Sequence, residues 1–164
     1  MPPKPRRFPD YQTALKVAFD EEIAGRAYFL MLARKYPEQR QALQLIARIE
    51  AVTASILRPP VTRAEITPGD PEILNSKGQA EAAVEQRPWL EFVWSMANDY
   101  PAYIQEMTDL LHIAPSADRA ALEALVAHEQ AIVDFALAET RGDSKSMQPL
   151  IDFLRRHGED QTSA

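Results

Sequence analysis

Cysteine is absent from this chain. That removes disulfides, thiolate nucleophiles, cysteine-based zinc sites and iron–sulfur clusters. Histidine is scarce, with His112, His128 and His157 the only three, which thins out nitrogen-rich metal chemistry. Excess positive charge is missing too: the net charge is −6, which argues against a general nucleic-acid binder. The one basic concentration, Lys4, Arg6 and Arg7, lies in a Pro-rich N-terminal arm over residues 1–10 and reads as a flexible, solvated tail. Residues 1–20 lack the apolar core of a signal peptide, and no apolar run approaches the roughly 20 residues of a membrane span. The expectation is a cytoplasmic protein with no membrane and no nucleic-acid partner. No Gly-rich phosphate loop, nucleophile elbow or Ser/His/Asp arrangement stands out. No stretch alternates as a strand does, and Val, Ile and Thr do not cluster.

What is present is helical. The 164 residues, 46% of them apolar, suit one domain that buries roughly two-thirds of its unfolded surface. Proline supplies most of the punctuation. Pro2, Pro3, Pro5 and Pro9 keep the arm extended, and Asp10 is placed to cap a helix over Tyr11–Tyr36. Pro37 fits the start of a second helix, expected to end near Leu57 where Arg58-Pro59-Pro60 stops it. Residues 58–88 read as a crossover with a short helix around Gln79–Gln86. A third helix is expected from Pro88-Trp89 to Ile113, and a fourth from Pro115-Ser116 to Arg141-Gly142. A short amphipathic helix, Met147–His157, follows, and residues 159–164 read as a frayed tail. Two antiparallel helix pairs joined by one long connection make a four-helix bundle domain of the one-crossover type over residues 11–158.

Glu129 breaks the pattern of its helix. Leu122, Leu125, Val126, Ile132, Val133, Ala136 and Leu137 share one face at about 100° per residue, with Glu129 near its middle. An inward carboxylate is paired, protonated or holding a metal. Glu21 repeats the pattern among Val17, Ala18, Ala24, Tyr28 and Leu32. Bundles of this connectivity can gather carboxylates from four helices around one point. Glu50 on the second helix lies 29 residues after Glu21, and Asp99 on the third lies 30 before Glu129, as two copies of one hairpin would place them. Glu50 fits a ligand or a solvated flank equally. Asp99 fits either a ligand or the N-cap of a helix with Pro101 early in it. If the third helix is instead continuous, Pro101 costs about 3 kcal/mol and kinks it. Glu106 is the alternative acid there, farther round towards the polar side. His128 points about 100° away from Glu129.

The first-helix run Glu21-Glu22-Ile23-Ala24-Gly25-Arg26-Ala27-Tyr28 resembles the Glu-x6-Tyr signature of the ferritin-like superfamily, in its rubrerythrin and bacterioferritin branch. The resemblance spans about residues 11–140. Glu50-Ala51-Val52-Thr53 stands where Glu-x-x-His is expected, with Thr53 in place of the histidine. Glu129-Gln130-Ala131-Ile132 stands at the second such motif, with Ile132 in its place. The resemblance implies a ferritin-like bundle and metal ligands at Glu21, Glu50, Asp99 and Glu129. It also implies Tyr28 near the metal as a catalytic residue, and oxidoreductase chemistry on O₂ or peroxide. With both imidazoles gone, the donors are oxygens, which suit Mg²⁺, Mn²⁺ or Ca²⁺ and hold Fe²⁺ less selectively.

A different reading makes the same scaffold a metal-free module for dimerisation or small-ligand binding. It requires cations to neutralise the inward acids, since like charges raise each other's pKa. Lys35 shares the Glu21–Tyr28 stripe but sits about 21 Å along the helix, too far to pair with Glu21. Trp94 falls off the main stripe of the aromatic third helix, which points to a subunit interface and a homodimer.

Overall fold

The computed structural model describes residues 3–158; the tail expected over 159–164 lies outside them. Among the described residues there are seven α-helices, two short 3₁₀ turns and no strand. No helix among them is long and apolar enough to cross a membrane. The described residues group into two compact units, 8–86, and 3–7 together with 87–158.

In the first unit, α1 (Tyr11–Lys35) starts where Asp10 accepts a 2.7 Å hydrogen bond from the Thr13 amide. Bonds from Thr13, the backbone one foremost, hold the Asp10 carboxyl below its ordinary pKa. Tyr36 and the 3₁₀ turn Pro37–Gln39 reverse the chain into α2 (Arg40–Arg63). This helix does not stop at Leu57. It runs through Pro59 and Pro60 although neither can donate to the ladder. Its buried stripe explains why, since Leu57, Pro60 and Val61 continue the apolar face set by Leu43, Ile46 and Ile49. The stop comes later, where Glu65 takes a left-handed φ of 53°. There Glu65 N–H donates to Thr62 O and Ile66 N–H to Val61 O, the paired closure of a helix C-terminus.

The stretch expected to be mostly irregular holds a full helix, α3 (Pro71–Val84), well beyond the short Gln79–Gln86 segment read from the sequence. Asp70 caps it, accepting from the Glu72 amide at 2.8 Å, with Pro71 at its first position. Three ties set it alongside α1 and parallel to it. Gly69 N–H donates to Asp20 at 2.9 Å. Gly78 lies against the backbone of Ala24 and Tyr28. Lys35 Nζ donates to the carbonyls of Ala82, Ala83 and Glu85 at the C-terminal end of α3. Helix α1 is thus flanked by α2 on one side and α3 on another.

In the second unit, α4 (Trp89–Asp99) and α5 (Pro101–Ile113) replace the single third helix, with Tyr100 alone between them. Tyr100 keeps helical angles and donates to Met96 O, while Pro101 has no N–H to carry the ladder on. A second 3₁₀ turn, Ser116–Asp118, leads into α6 (Arg119–Thr140), against which α4, α5 and α7 (Gln148–His157) all pack. Trp89 Nε1 donates to Glu139 at 2.9 Å and Ser146 Oγ donates to the same carboxylate at 2.6 Å. These bonds fix α4 and the start of the α7 segment at one end of α6. Farther along, His128 meets Phe153 with ring centroids 6.0 Å apart. The N-terminal arm is also not free: the Arg6 backbone N–H and guanidinium both donate to Glu106, the latter at 2.8 Å. Glu106, read from sequence as turned towards the polar side, is buried on α5.

Candidate functional site

The antiparallel α1–α2 hairpin has a fixed register. Gln12 donates to Ala64 O at 3.3 Å, Arg58 lies over the Phe19 ring, and Gly25 faces the Glu50 carboxylate. Thr53 therefore lies level with Glu22 and Ile23. Four features lie within about one helical turn of this level. Glu50 and Glu22 are both buried acids. Thr53 is fully buried, and its hydroxyl has no hydrogen-bond partner among the described residues. Gly25 leaves a cradle for Glu50: a β-carbon added there would stand 2.6 Å from Glu50 Oε2.

The local reasons are legible in the helices. Glu50 and Thr53 are three residues apart and so share a face of α2. Glu22 precedes Gly25 by the same interval on α1. An acid removed from water keeps its charge only beside positive charge or donors, and a hydroxyl left unbonded in a dry interior is costly. A bound cation would take the open Thr53 hydroxyl oxygen together with carboxylate oxygens. The residues present thus fit a hard divalent ion better than a nitrogen-loving one.

The residues singled out from the sequence are distributed as follows. Glu50 is buried rather than on a solvated flank. Glu21 is only half-buried, and its neighbour Glu22 is the buried acid. Tyr28 is half-buried and stands edge-on to Phe29, with centroids 5.1 Å apart. In the second unit, Glu129 is half-buried and the adjacent His128 is the buried residue. Asp99 is half-buried and ends α4; the N-cap position of α5 belongs to Tyr100, which makes no side-chain capping bond. Asp99 therefore does not cap α5, because Tyr100 stays helical and leaves no extended residue at which a cap can form.

Sequence reasoning passed over Glu22, although Leu15, Glu22 and Phe29 recur at sevenfold spacing along α1, and all three are buried. It set His128 aside for lying 100° from Glu129. That angle carries less weight on α6, where three helices pack and burial extends around most of the circumference.

Compared with known proteins, the chain matches no family, no curated protein and no solved structure.

Proposed function

We propose that this is a metal-binding protein of ferritin-like character, with a carboxylate-rich centre whose first ligands are Glu22 and Glu50. The single observation that carries the reading is the quartet of the α1–α2 hairpin: two buried acids, the Gly25 cradle and the orphaned, buried Thr53 hydroxyl. Glu22 replaces Glu21 in the ligand set implied by the family resemblance, because Glu22 is the one removed from water. Glu50 keeps its place, and Thr53 offers oxygen where the family pattern has a histidine. Such a centre takes Mn²⁺, Mg²⁺, Ca²⁺ or Fe²⁺. Iron held there would supply one-electron chemistry towards O₂ or peroxide. The protein's part is to present the acids to the ion and to keep bulk water out.

Elemental analysis of protein purified without chelators tests this directly. About one divalent ion per chain is expected, falling at least tenfold in affinity in Glu50→Gln and in Glu22→Gln. Measured on Glu129→Gln and His128→Ala, the same quantity asks whether α6 supplies ligands of its own. Metal content unchanged in both α1–α2 variants, with circular dichroism confirming their fold, sinks the assignment.

A further inference from the structure

A second concentration of chemistry lies in the first unit, along the seam of α1 and α3. A groove of about 180 Å³ runs there. Arg26, Leu30 and Arg34 follow one another at four-residue steps along its α1 wall, so a cation stands at each end of an apolar stretch completed by Ala27 and Met31. The two arginines are rooted about 12 Å apart. Asn75 and Gln79, one turn apart on α3, form the facing wall. Neither guanidinium pairs with an acid among the described residues, and neither carboxamide makes a side-chain hydrogen bond there. Such unpaired charge is unexpected in a chain with 24 acids against 18 cations. Glu22, four residues before Arg26, is buried, and Glu38, four after Arg34, lies beyond the helix in the 3₁₀ turn. On α3, Glu81 goes to Lys77 at 3.9 Å. Arg34 suits the C-terminal dipole of α1; Arg26, in mid-helix, has no such reason. The groove therefore gathers unspent donors and keeps carboxylates out.

We propose that this groove binds a short aliphatic dicarboxylate. One carboxylate lies on Arg26 and the other on Arg34, edge on to each guanidinium, where two parallel hydrogen bonds form. The methylenes between them cover Ala27, Leu30 and Met31, and the amide N–H groups of Asn75 and Gln79 donate to carboxylate oxygens from across the groove. Size agrees. A cavity of ~150 Å³ holds benzene, so 180 Å³ takes a chain of about four methylenes with its two carboxylates. Phosphate is matched less well, because one compact anion fills one fork and draws the other arginine over Leu30. A nucleic acid or an acidic peptide needs far more surface than this and meets a chain of net charge −6. The site is separate from the carboxylate-rich centre proposed above, whose Glu22 and Glu50 line none of it.

An NMR titration of the full chain with adipate, followed through its backbone amides, tests the proposal. A dissociation constant of about 0.1–1 mM is expected for so small a ligand in a half-open groove. Arg26→Gln and Arg34→Gln should each weaken binding about fivefold. Asn75→Asp, which sets a carboxylate opposite the arginines, should weaken it by at least as much. Arg48→Gln makes the same charge change on the exposed face of α2 and should leave affinity within about twofold. Butyrate, with one carboxylate, should bind at least about fivefold more weakly than adipate, and inorganic phosphate likewise. Ionic strength is held constant, and circular dichroism accompanies each variant. No shift at the groove up to about 10 mM adipate overturns the proposal. So does equal affinity in wild type and both arginine variants. Phosphate binding more tightly than adipate overturns it as well, by marking an anion site of another kind.

Discussion

Gly25 offers the sharpest question at the scale of one residue. In the middle of α1 it lacks the side chain a helix prefers, and alanine there should add up to about 1 kcal/mol of helix stability. The added methyl, however, would stand 2.6 Å from Glu50 Oε2 and 2.8 Å from its carboxyl carbon. The obstruction is the tip of a flexible side chain, so the fold can absorb it by moving the carboxylate. Gly25→Ala is therefore expected to hold or raise the melting temperature while lowering divalent-ion affinity about tenfold. Calorimetric titration with Mn²⁺ beside a thermal melt separates the two effects. Equal affinity in variant and wild type would remove Glu50 from the ligand set. The same residue scale shows where sequence reading reached its limit. One position along a helix turns the side chain by about 100°, and choosing Glu22 over Glu21 requires knowing which neighbours α1 has. With α2 on one side and α3 on another, its apolar band is too broad for the sequence to fix the centre.

Helix boundaries followed the prolines as read at Pro37 and Pro149, while Pro71 and Pro101 open helices that the sequence reading places in the crossover and inside a single third helix. They failed at Pro59-Pro60, because burial of Leu57, Pro60 and Val61 outweighs two missing donors. Helix α3 was underread for a different reason. Only Gly78 and Ala82 are buried along it, so it carries almost no apolar periodicity, and its interior glycine looks like a breaker. That glycine is what seats the helix. A β-carbon at position 78 would lie 2.0 Å from Ala24 O and 3.1 Å from Tyr28 N, both backbone atoms of α1. Gly78→Ala should therefore push α3 off α1 and destabilise the protein by at least about 2 kcal/mol, despite alanine's better helix propensity. Urea unfolding measures it. A variant as stable as wild type would mean that α3 tolerates displacement without loss.

For the molecule as a whole, the balance of buried charge is one-sided. Glu22, Glu50, Glu85, Glu106 and Asp118 are buried, whereas no lysine or arginine is buried among the described residues. Arg6 reaches Glu106 from a position still partly in water, so the N-terminal arm supplies the countercharge of that acid. A divalent ion held by Glu22 and Glu50 would add positive charge at the level of the hairpin where the acids are driest. An ion that binds the folded chain alone stabilises it by mass action, by about 2.7 kcal/mol at a hundred times the dissociation constant. For a chain of this length that corresponds to a melting point higher by about 5–10 °C. Circular dichroism melts in excess Mn²⁺ and in excess chelator should differ by this amount for wild type, and by far less for Glu50→Gln. Ionic strength is matched between the two conditions, because screening alone shifts a chain of net charge −6. If Glu50→Gln keeps the full difference, the stabilising ion sits elsewhere on the acidic surface. The hairpin quartet would then be a packing arrangement and not a centre.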